Sequence, residues 1–103
     1  MTASGFLSVA PVVEDSMADQ VARAVEALED EDVDYETTPM GTLIEADEAA
    51  DLFAAARAAH DAVDADRVST FLKIDDKRAS DDPMATKVER VEAELGRNAR
   101  SDR

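Results

Sequence analysis

The stretch Tyr35–Glu45, with the sequence YETTPMGTLIE, decides the fold of this 103-residue chain. Its residues alternate between two faces up to Met40, and the alternation resumes after Gly41, which predicts two short strands joined by a tight turn. Gly41 can adopt the positive φ that a tight reversal needs, and Pro39 cannot donate to a strand ladder, which places it at a strand end or on an outer strand. We therefore predict a β-hairpin, a motif that in small α+β domains is often purely architectural.

The segments on either side of this hairpin have the periodicity of two more strands and three helices. In chain order they are a strand over 4–12, a helix capped by Asp15 or Ser16, a helix over 49–64, a strand over 67–75, and a helix that begins at Asp82-Pro83 and ends at Gly96. Phe53 and His60 fall in the predicted apolar stripe of the second helix. The stripe of the third helix consists of Met84, Val88, Val91 and Leu95.

The element order βαββαβ followed by a helix predicts an α+β fold, a ferredoxin-like sandwich with an additional C-terminal helix. We expect one domain over residues 4–96 and a flexible C-terminal tail over 97–103. Two helices cover only one face of such a sheet, so the other face is left bare, and strand alternation places Phe6, Ser8 and Phe71 on it. A face of this mixed character contacts a second subunit, the third helix or a ligand.

The chain is strongly acidic, with 25 Asp and Glu against 11 Lys and Arg and a net charge of −14. This charge excludes a generic nucleic-acid-binding surface and disfavours binding to an anionic membrane, because both need Lys and Arg. Abundant Ala and acid spread along the whole chain are typical of a folded protein in a halophile's cytoplasm, where molar salt screens self-repulsion. The acidic runs Glu29–Asp32 and Asp75-Asp76 are too short for a nucleic-acid mimic or a cation buffer.

The residue types exclude several kinds of chemistry. The chain has no cysteine, so it has no disulfide, thiolate metal site or cysteine nucleophile. Its single histidine, His60, has no second ligand one helical turn away, and we assign it a packing or hydrogen-bonding role and predict no metal. No serine or threonine carries an adjacent base motif and no Gly-rich phosphate loop is present, so we predict no catalytic residue and no enzyme activity. No segment has the pattern of a leader or a membrane span, which predicts a cytoplasmic protein.

Two non-catalytic functions remain, ligand binding and assembly. For binding, Lys73, Lys77 and Arg78 form a local positive cluster that either holds an anionic group or pairs with Asp75-Asp76. The hairpin adds ring contacts and hydrogen-bonding groups for an aromatic heterocycle from Tyr35, Met40, Thr37, Thr38, Thr42 and Glu45. For assembly, the bare sheet face and the third helix would serve only to build an oligomer, and nothing in the composition excludes this function.

Three blocks of sequence, 6–11 (FLSVAP), 35–45 (YETTPMGTLIE) and 67–78 (RVSTFLKIDDKR), resemble the small, YkoF-related thiamine-binding protein family, with this chain as a haloarchaeal-type member. The resemblance extends from about Phe6 to Leu95. It implies a ferredoxin-like subunit, a homo-oligomer that is a dimer or a tetramer, and binding of thiamine or its pyrimidine portion without catalysis or a further cofactor. The ligand-binding positions that it implies are Ser8, Thr37, Met40, Gly41, Thr42, Glu45, Lys73, Asp75 and Arg78.

On this hypothesis the ligand lies between the open sheet face and a neighbouring element. Thiamine joins an aminopyrimidine, which stacks and forms hydrogen bonds, to a positively charged thiazolium. Glu45 is then the expected ionic or hydrogen-bonding partner and Met40 the expected ring contact, while Lys73 and Arg78 either bind an anionic group or support the subunit interface. The alternative is an oligomeric structural or interaction protein with no small-molecule ligand.

Overall fold

The structure is a computed structural model that describes residues 1–102 of the chain. Its elements are β1 (Thr2–Pro11), α1 (Ala18–Ala27) with a 3-10 turn (Leu28–Asp30), β2 (Asp34–Thr38), β3 (Gly41–Ala46), α2 (Ala49–Ala62), β4 (Val68–Lys77) and α3 (Ala85–Leu95). The four strands form one antiparallel sheet in the order β2-β3-β1-β4. Helices α1 and α2 pack on the same face of this sheet. The predicted α+β, ferredoxin-like arrangement with an additional C-terminal helix is confirmed.

The predicted hairpin is present, with its turn at Pro39-Met40 between β2 and β3. The strand β1 is central, and it pairs with β4 along all ten of its residues but with β3 only from Ala3 to Leu7. The last β1–β3 pair is Leu7 opposite Thr42. Beyond that pair, β1 continues to Pro11, whereas β3 begins at Gly41, only one residue before Thr42, so the sheet has a step at this position.

The core lies between the sheet and the two helices. Leu7 and Val9 of β1 are buried there, and Leu28, Ile44 and Leu52 are the largest fully buried side chains of the core. The alternation of β1 explains this pattern, because every second side chain of a strand points to the helix side.

The predicted apolar stripe of α2 was wrong for two residues, Phe53 and His60. Phe53 is 62% exposed, and His60 is also exposed, with its Nδ1 atom 2.5 Å from Oγ1 of Thr70 on β4. The buried stripe of α2 instead consists of Leu52, Ala55, Ala56 and Ala59. The three alanine side chains let the helix approach the sheet closely. Because successive residues of an α-helix are rotated by about 100°, Phe53 and His60 then lie at the edge of the contact between α2 and the sheet.

The N-terminal cap of α1 differs from the prediction. The helix begins at Ala18, and Met17 rather than Asp15 or Ser16 occupies the capping position. Ser16 still accepts a hydrogen bond at its Oγ atom from the backbone N–H of Ala18, at 3.4 Å. Ser16 therefore accepts a hydrogen bond from one of the free backbone N–H groups of the first turn, although it lies one residue before the capping position.

Helix α3 ends as predicted at Gly96, which has a φ of 70° and donates its backbone N–H to the Glu92 carbonyl oxygen at 2.9 Å. No residue of α3 is buried. Its predicted stripe residues Val88, Val91 and Leu95 are 53%, 52% and 46% exposed. The molecule is only 18 Å thick, which is the thickness of one sheet and one helix layer, so α3 extends away from the sheet instead of forming a third layer over it.

The sheet face opposite α1 and α2, here called the open face, carries the even-numbered side chains of β1 and their cross-strand neighbours. Phe6 lies between Leu43 of β3 and Lys73 of β4, and Ser8 lies beside Phe71. The Phe6 and Phe71 rings form an edge-to-face pair with centroids 6.1 Å apart. Phe71 is 57% exposed, so much of this aromatic surface meets solvent.

Residues 97–102 form no helix or strand, although the backbone N–H of Ala99 donates to the Glu92 carboxylate at 2.9 Å. Arg103, which belongs to the predicted tail, lies outside the described residues.

Candidate functional site

A cavity of about 170 Å³ lies at the step in the sheet, between α1, the second half of β1 and the hairpin turn. Its α1 wall is apolar and its hairpin wall carries the polar atoms. The apolar wall consists of Met17, Val21, Ala24, Val25 and Leu28. Because β3 begins only at Gly41 while β1 continues to Pro11, the turn covers space that an earlier β3 residue would otherwise fill.

The edge of β1 that borders the cavity has no strand partner beyond Leu7. The carbonyl oxygen of Leu7 points toward Gly41, since a Cβ atom on that glycine would lie 3.0 Å from it. Backbone groups of a strand face the same neighbour at every second residue, so Val9 presents its N–H and C=O at this edge as well. Val9 has no partner residue on β3 within the described chain. The cavity is therefore bordered by a backbone donor and a backbone acceptor side by side.

Three threonines organise the hairpin wall of the cavity. Thr42 is 7% exposed, and its hydroxyl lies 3.2 Å from that of Thr37 on β2. Thr38 donates its hydroxyl to the Gly41 carbonyl oxygen at 2.7 Å and accepts the backbone N–H of Met40 at 3.2 Å. These last two bonds hold the turn closed on itself. Met40 is 81% exposed at the mouth of the cavity, where its side chain can contact a bound molecule.

No residue that lines the cavity is charged, as far as the described residues 1–102 show. On β2 the Tyr35 hydroxyl donates to the Glu29 carboxylate, and this hydrogen bond raises the pKa of Tyr35. An uncharged wall with a few hydroxyl and backbone groups suits a neutral, planar polar ring better than a buried cation.

The structure divides the nine predicted ligand-binding residues into two groups. Five of them border the cavity: Ser8, Thr37, Met40, Gly41 and Thr42. The other four, Glu45, Lys73, Asp75 and Arg78, do not border it. Glu45 is three residues along β3 from Thr42, a distance of about 10 Å, and the alternation of the strand places it on the open face.

Glu45 and Asp75 hold the first turn of α3. The Glu45 Oε2 atom accepts the backbone N–H of Met84 and, at 3.3 Å, the Ser4 hydroxyl. The Lys87 ammonium donates to the Asp75 carboxylate, and this hydrogen bond lowers the pKa of Asp75. Both carboxylates therefore have partners within the chain.

The predicted positive cluster is also spread over several partners. Arg78 donates its Nε–H to Asp76 Oδ2 at 3.0 Å, and Lys77 donates to the Asp82 carbonyl oxygen at 3.4 Å. The pairing alternative for this cluster thus applies to Arg78 and Asp76, whereas Asp75 pairs with a lysine of α3. Lys73 is exposed on the open face.

The α1 wall of the cavity is the part of the site that sequence reasoning missed. Met17, Val21 and Val25 have the helical spacing of core residues, and that spacing alone predicts that they pack in the core. Within α1 and its 3-10 turn, only Ala24 and Leu28 are buried. The sequence does contain a signal for this wall, because the apolar stripe of α1 is wider than the part of the ten-residue helix that is buried against the core.

The residues that the structure describes include no helix long and apolar enough to cross a membrane. They also include no group of His, Cys, Asp and Glu side chains arranged to hold a metal ion.

Comparison with known proteins identifies relatives across nearly the whole chain. The UPF0045 protein of Methanothermobacter thermautotrophicus is 47% identical over 83 residues, covering 78% of this chain and 84% of that protein. The crystal structure of a hypothetical protein of Methanocaldococcus jannascii matches with a TM-score of 0.79 and 28% identity, covering 87% of this chain and 95% of the other.

A second solved structure has the same fold. It is a Thermotoga maritima protein whose name associates it with thiamine biosynthesis or salvage, and it matches with a TM-score of 0.69 and 24% identity, covering 88% of this chain and 99% of the other. The sequence pattern of the thiamine-binding protein family matches residues 6–92. This match includes every strand from β2 to β4 and most of β1. The chain therefore belongs to the thiamine-binding protein family.

Proposed function

We propose that this protein binds thiamine, or a related molecule with an aminopyrimidine ring, and that the ring enters the cavity between α1, β1 and the hairpin turn. The observation that carries the proposal is the uncharged cavity with a strand edge and two threonine hydroxyls on its wall, in a chain of the thiamine-binding protein family.

The size of the cavity supports a single ring as its occupant. A drug-sized ligand needs about 300–1,000 Å³, whereas an engineered protein cavity of about 150 Å³ holds one benzene molecule. The volume of about 170 Å³ therefore accommodates the pyrimidine with its small substituents. The thiazolium then lies at the mouth, beside Met40, where solvent and the negative field of the chain favour its positive charge.

The polar groups of the wall match an aminopyrimidine. Its ring nitrogen accepts and its amino group donates, and Val9 offers a backbone donor and acceptor along one edge. The hydroxyls of Thr37 and Thr42 can donate or accept at the opposite wall. Of the nine residues predicted from sequence, we therefore propose Ser8, Thr37, Met40, Gly41 and Thr42 as the ligand-contacting group.

We propose that Glu45, Lys73, Asp75 and Arg78 act outside the ligand contacts, in holding α3 and supporting a subunit interface. This replaces the expectation that Glu45 is the ionic partner of the ligand. The hydrogen bonds of Glu45 to Ser4 and Met84 support the new assignment. Self-association as a dimer or a tetramer is part of the proposal, because the open face and α3 both expose apolar side chains.

We further propose that binding occurs without catalysis, in the cytoplasm of a halophile. The cavity wall brings no acid or base next to its hydroxyls, and general acid–base catalysis needs such a group within hydrogen-bonding reach. The net charge of −14 supports the high-salt setting.

Calorimetry in molar KCl tests the proposal with thiamine, its pyrimidine half and its thiazole half as separate probes. We expect heat from thiamine and from the pyrimidine half, and none from the thiazole half. Ala24→Leu fills the cavity from the α1 side and should abolish binding, whereas Glu45→Gln should leave it unchanged. The absence of heat with millimolar thiamine, or binding that survives in the Ala24→Leu protein, would contradict the proposed site.

A further inference from the structure

Two of the four methionine side chains border the cavity, each from a different wall. Met40 lies in the hairpin turn and is 81% exposed, and Met17 lies at the capping position of α1 and is 40% exposed. The chain has no cysteine, so the thioethers of its methionines are its only sulfur atoms. An oxidant that attacks sulfur can therefore change the wall of the candidate site.

The other two methionines do not border the cavity. Met1 is 53% exposed at the N-terminus. Met84 is only partly exposed, and its backbone N–H donates to Glu45 at the start of α3. Because an oxidant reaches the most accessible thioether most often, the exposed fractions predict that Met40 reacts first and Met84 last.

Oxidation by a peroxide converts the Met40 thioether to a sulfoxide. A sulfur lone pair attacks one peroxide oxygen, the S–O bond forms and the O–O bond breaks. The leaving oxygen takes up the proton of the transferred oxygen and departs as water or an alcohol, so sulfur loses two electrons and the peroxide gains them. Sulfoxide reductases reverse the change. An apolar side chain that suits an aromatic ring thus becomes a polar one that needs a hydrogen-bond donor.

The hairpin turn has few free donors for a sulfoxide oxygen on Met40. The Met40 backbone N–H donates to the Thr38 hydroxyl at 3.2 Å, and that hydroxyl donates to the Gly41 carbonyl oxygen at 2.7 Å. Pro39 has no N–H. Water therefore solvates the sulfoxide oxygen in the free protein, and a ring that covers Met40 displaces this water.

We propose that Met40 is a site of reversible oxidation by peroxides, and that its sulfoxide lowers the affinity of the cavity for its ring ligand. This inference rests on the proposed function. The thiazolium nitrogen of thiamine is fully substituted and carries no N–H, so it does not replace the water that it displaces from Met40. Its attraction to the sulfoxide dipole is screened in molar salt. Covering one polar oxygen without a donor corresponds to an affinity loss of about tenfold.

Hydrogen peroxide in molar KCl tests the proposal, with peptide mass spectrometry to locate each added oxygen. We expect Met40 to react first, and saturating thiamine to slow the reaction at Met40 but not at Met1. Calorimetry of protein oxidised at Met40 should show thiamine binding weakened about tenfold. Treatment with two sulfoxide reductases, one for each sulfur epimer, should restore the original affinity.

Variants at Met40 separate its oxidation from oxidation elsewhere. Met40→Leu has an apolar side chain without sulfur, so peroxide should no longer change the affinity for thiamine. Met40→Gln places a polar group at the same position and should bind more weakly than Met40→Leu before any peroxide is added. The matched control is Met17→Leu, which removes the other thioether of the cavity, and peroxide should still weaken its binding. Met40 lies outside the core, so circular dichroism should show both Met40 variants folded.

Each contrary result identifies the claim that fails. Untreated protein that binds no thiamine would overturn the proposed function and this inference with it. Equal affinities before and after oxidation of Met40 would overturn this inference alone. A Met40→Leu protein that peroxide weakens as much as the wild type would place the sensitive group elsewhere, and binding that the reductases do not restore would refute the reversible site.

Discussion

Gly41 is the residue whose substitution tests the hairpin and the cavity together. Its φ is 157°, a value that side-chain-bearing residues rarely adopt. A Cβ atom built there would lie 2.5 Å from Cζ of Phe6 and 3.0 Å from the Leu7 carbonyl oxygen. Carbon atoms normally approach to about 3.5–4.0 Å, so the Phe6 ring must move, and the backbone oxygen has less freedom to do so.

These distances and the backbone angle give the expected size of the effect of Gly41→Ala. A residue held in a sparsely populated backbone region loses about 1–3 kcal/mol, and overpacking a core by one methyl group typically loses another 1–3 kcal/mol. The stiffer unfolded chain offsets about 0.4–1 kcal/mol of this loss. We expect the free energy of unfolding to fall by about 2–5 kcal/mol, a large share of the 5–15 kcal/mol typical of a small domain.

Urea denaturation followed by circular dichroism measures this change. At an m-value of about 1.5 kcal/mol/M, the Gly41→Ala midpoint should fall by roughly 1.5–3 M. Gly96→Ala is the matched control, because Gly96 also has a positive φ, of 70°, but nothing lies within 4 Å of the position of its Cβ. It should lose only about 1 kcal/mol, from backbone strain alone.

Phe6→Leu separates the steric part of the Gly41 effect from the backbone part. Removing the distal ring atoms makes room for the alanine methyl group, so Gly41→Ala should lose about 1–2 kcal/mol less in the Phe6→Leu background than in the wild type. Equal losses in both backgrounds, or a Gly41→Ala protein as stable as the Gly96→Ala control, would refute the contact between the hairpin turn and Phe6.

Three further outcomes follow from the charges and hydroxyls. Lys87→Met removes the hydrogen bond that lowers the pKa of Asp75, so carbon NMR should show the pKa of Asp75 rising toward the usual value of about 3.9. In the wild-type protein the stabilisation from this pair is present above that usual value and is lost as the pH falls through the lowered pKa of Asp75. Thr42→Val should weaken thiamine binding about fivefold, the equivalent of one hydrogen bond, while calorimetry of the Lys87→Met protein shows unchanged affinity. The urea midpoint of the wild-type protein should rise from dilute buffer to molar KCl, because salt screens its net charge of −14; a midpoint independent of salt would contradict the high-salt setting.

The strands of this fold were predictable because their signals are local. Alternation through 35–45 and the turn residues at Pro39 and Gly41 predict the hairpin, and Gly96 marks the end of α3 through its left-handed conformation. Burial along β1 follows the same alternation: Leu7 and Val9 are buried on the helix side, and Phe6 lies on the open face where the alternation predicts it. Each of these predictions depends on residues close together in the sequence.

The packing of α2 was not predictable in the same way. The sequence offers Phe53 as its largest apolar side chain, yet Leu52 is buried and Phe53 is exposed. Which side of a helix faces the sheet depends on how closely the backbone can approach, and here three alanines allow a close approach. Tertiary contacts, and not the size of the apolar side chains in the sequence, therefore determine which side of α2 is buried.

The division of the candidate site also depends on tertiary structure. Thr42 and Glu45 are neighbours in sequence and both have the polar atoms that a ligand needs. An interval of three residues along a strand sends their side chains to opposite faces, and only Thr42 points to the helix side, where the cavity lies. The sequence shows a polar group at both positions of the hairpin. The partner of Glu45 is the backbone N–H of Met84 at the start of α3, and this contact is known only from the folded structure.

The alternation of β1 divides the proposed functions between two faces of one strand. Leu7 and Val9 belong to the core and cavity side, whereas Phe6 belongs to the open face, through which we propose self-association. Substitutions on one face should therefore leave the function of the other intact, because sheet side chains contact mainly neighbours on their own face. Gly41 is the exception, since its missing side chain leaves room for the Phe6 ring while its backbone borders the cavity. A change at this glycine is thus the one hairpin substitution that we expect to disturb ligand binding and self-association together.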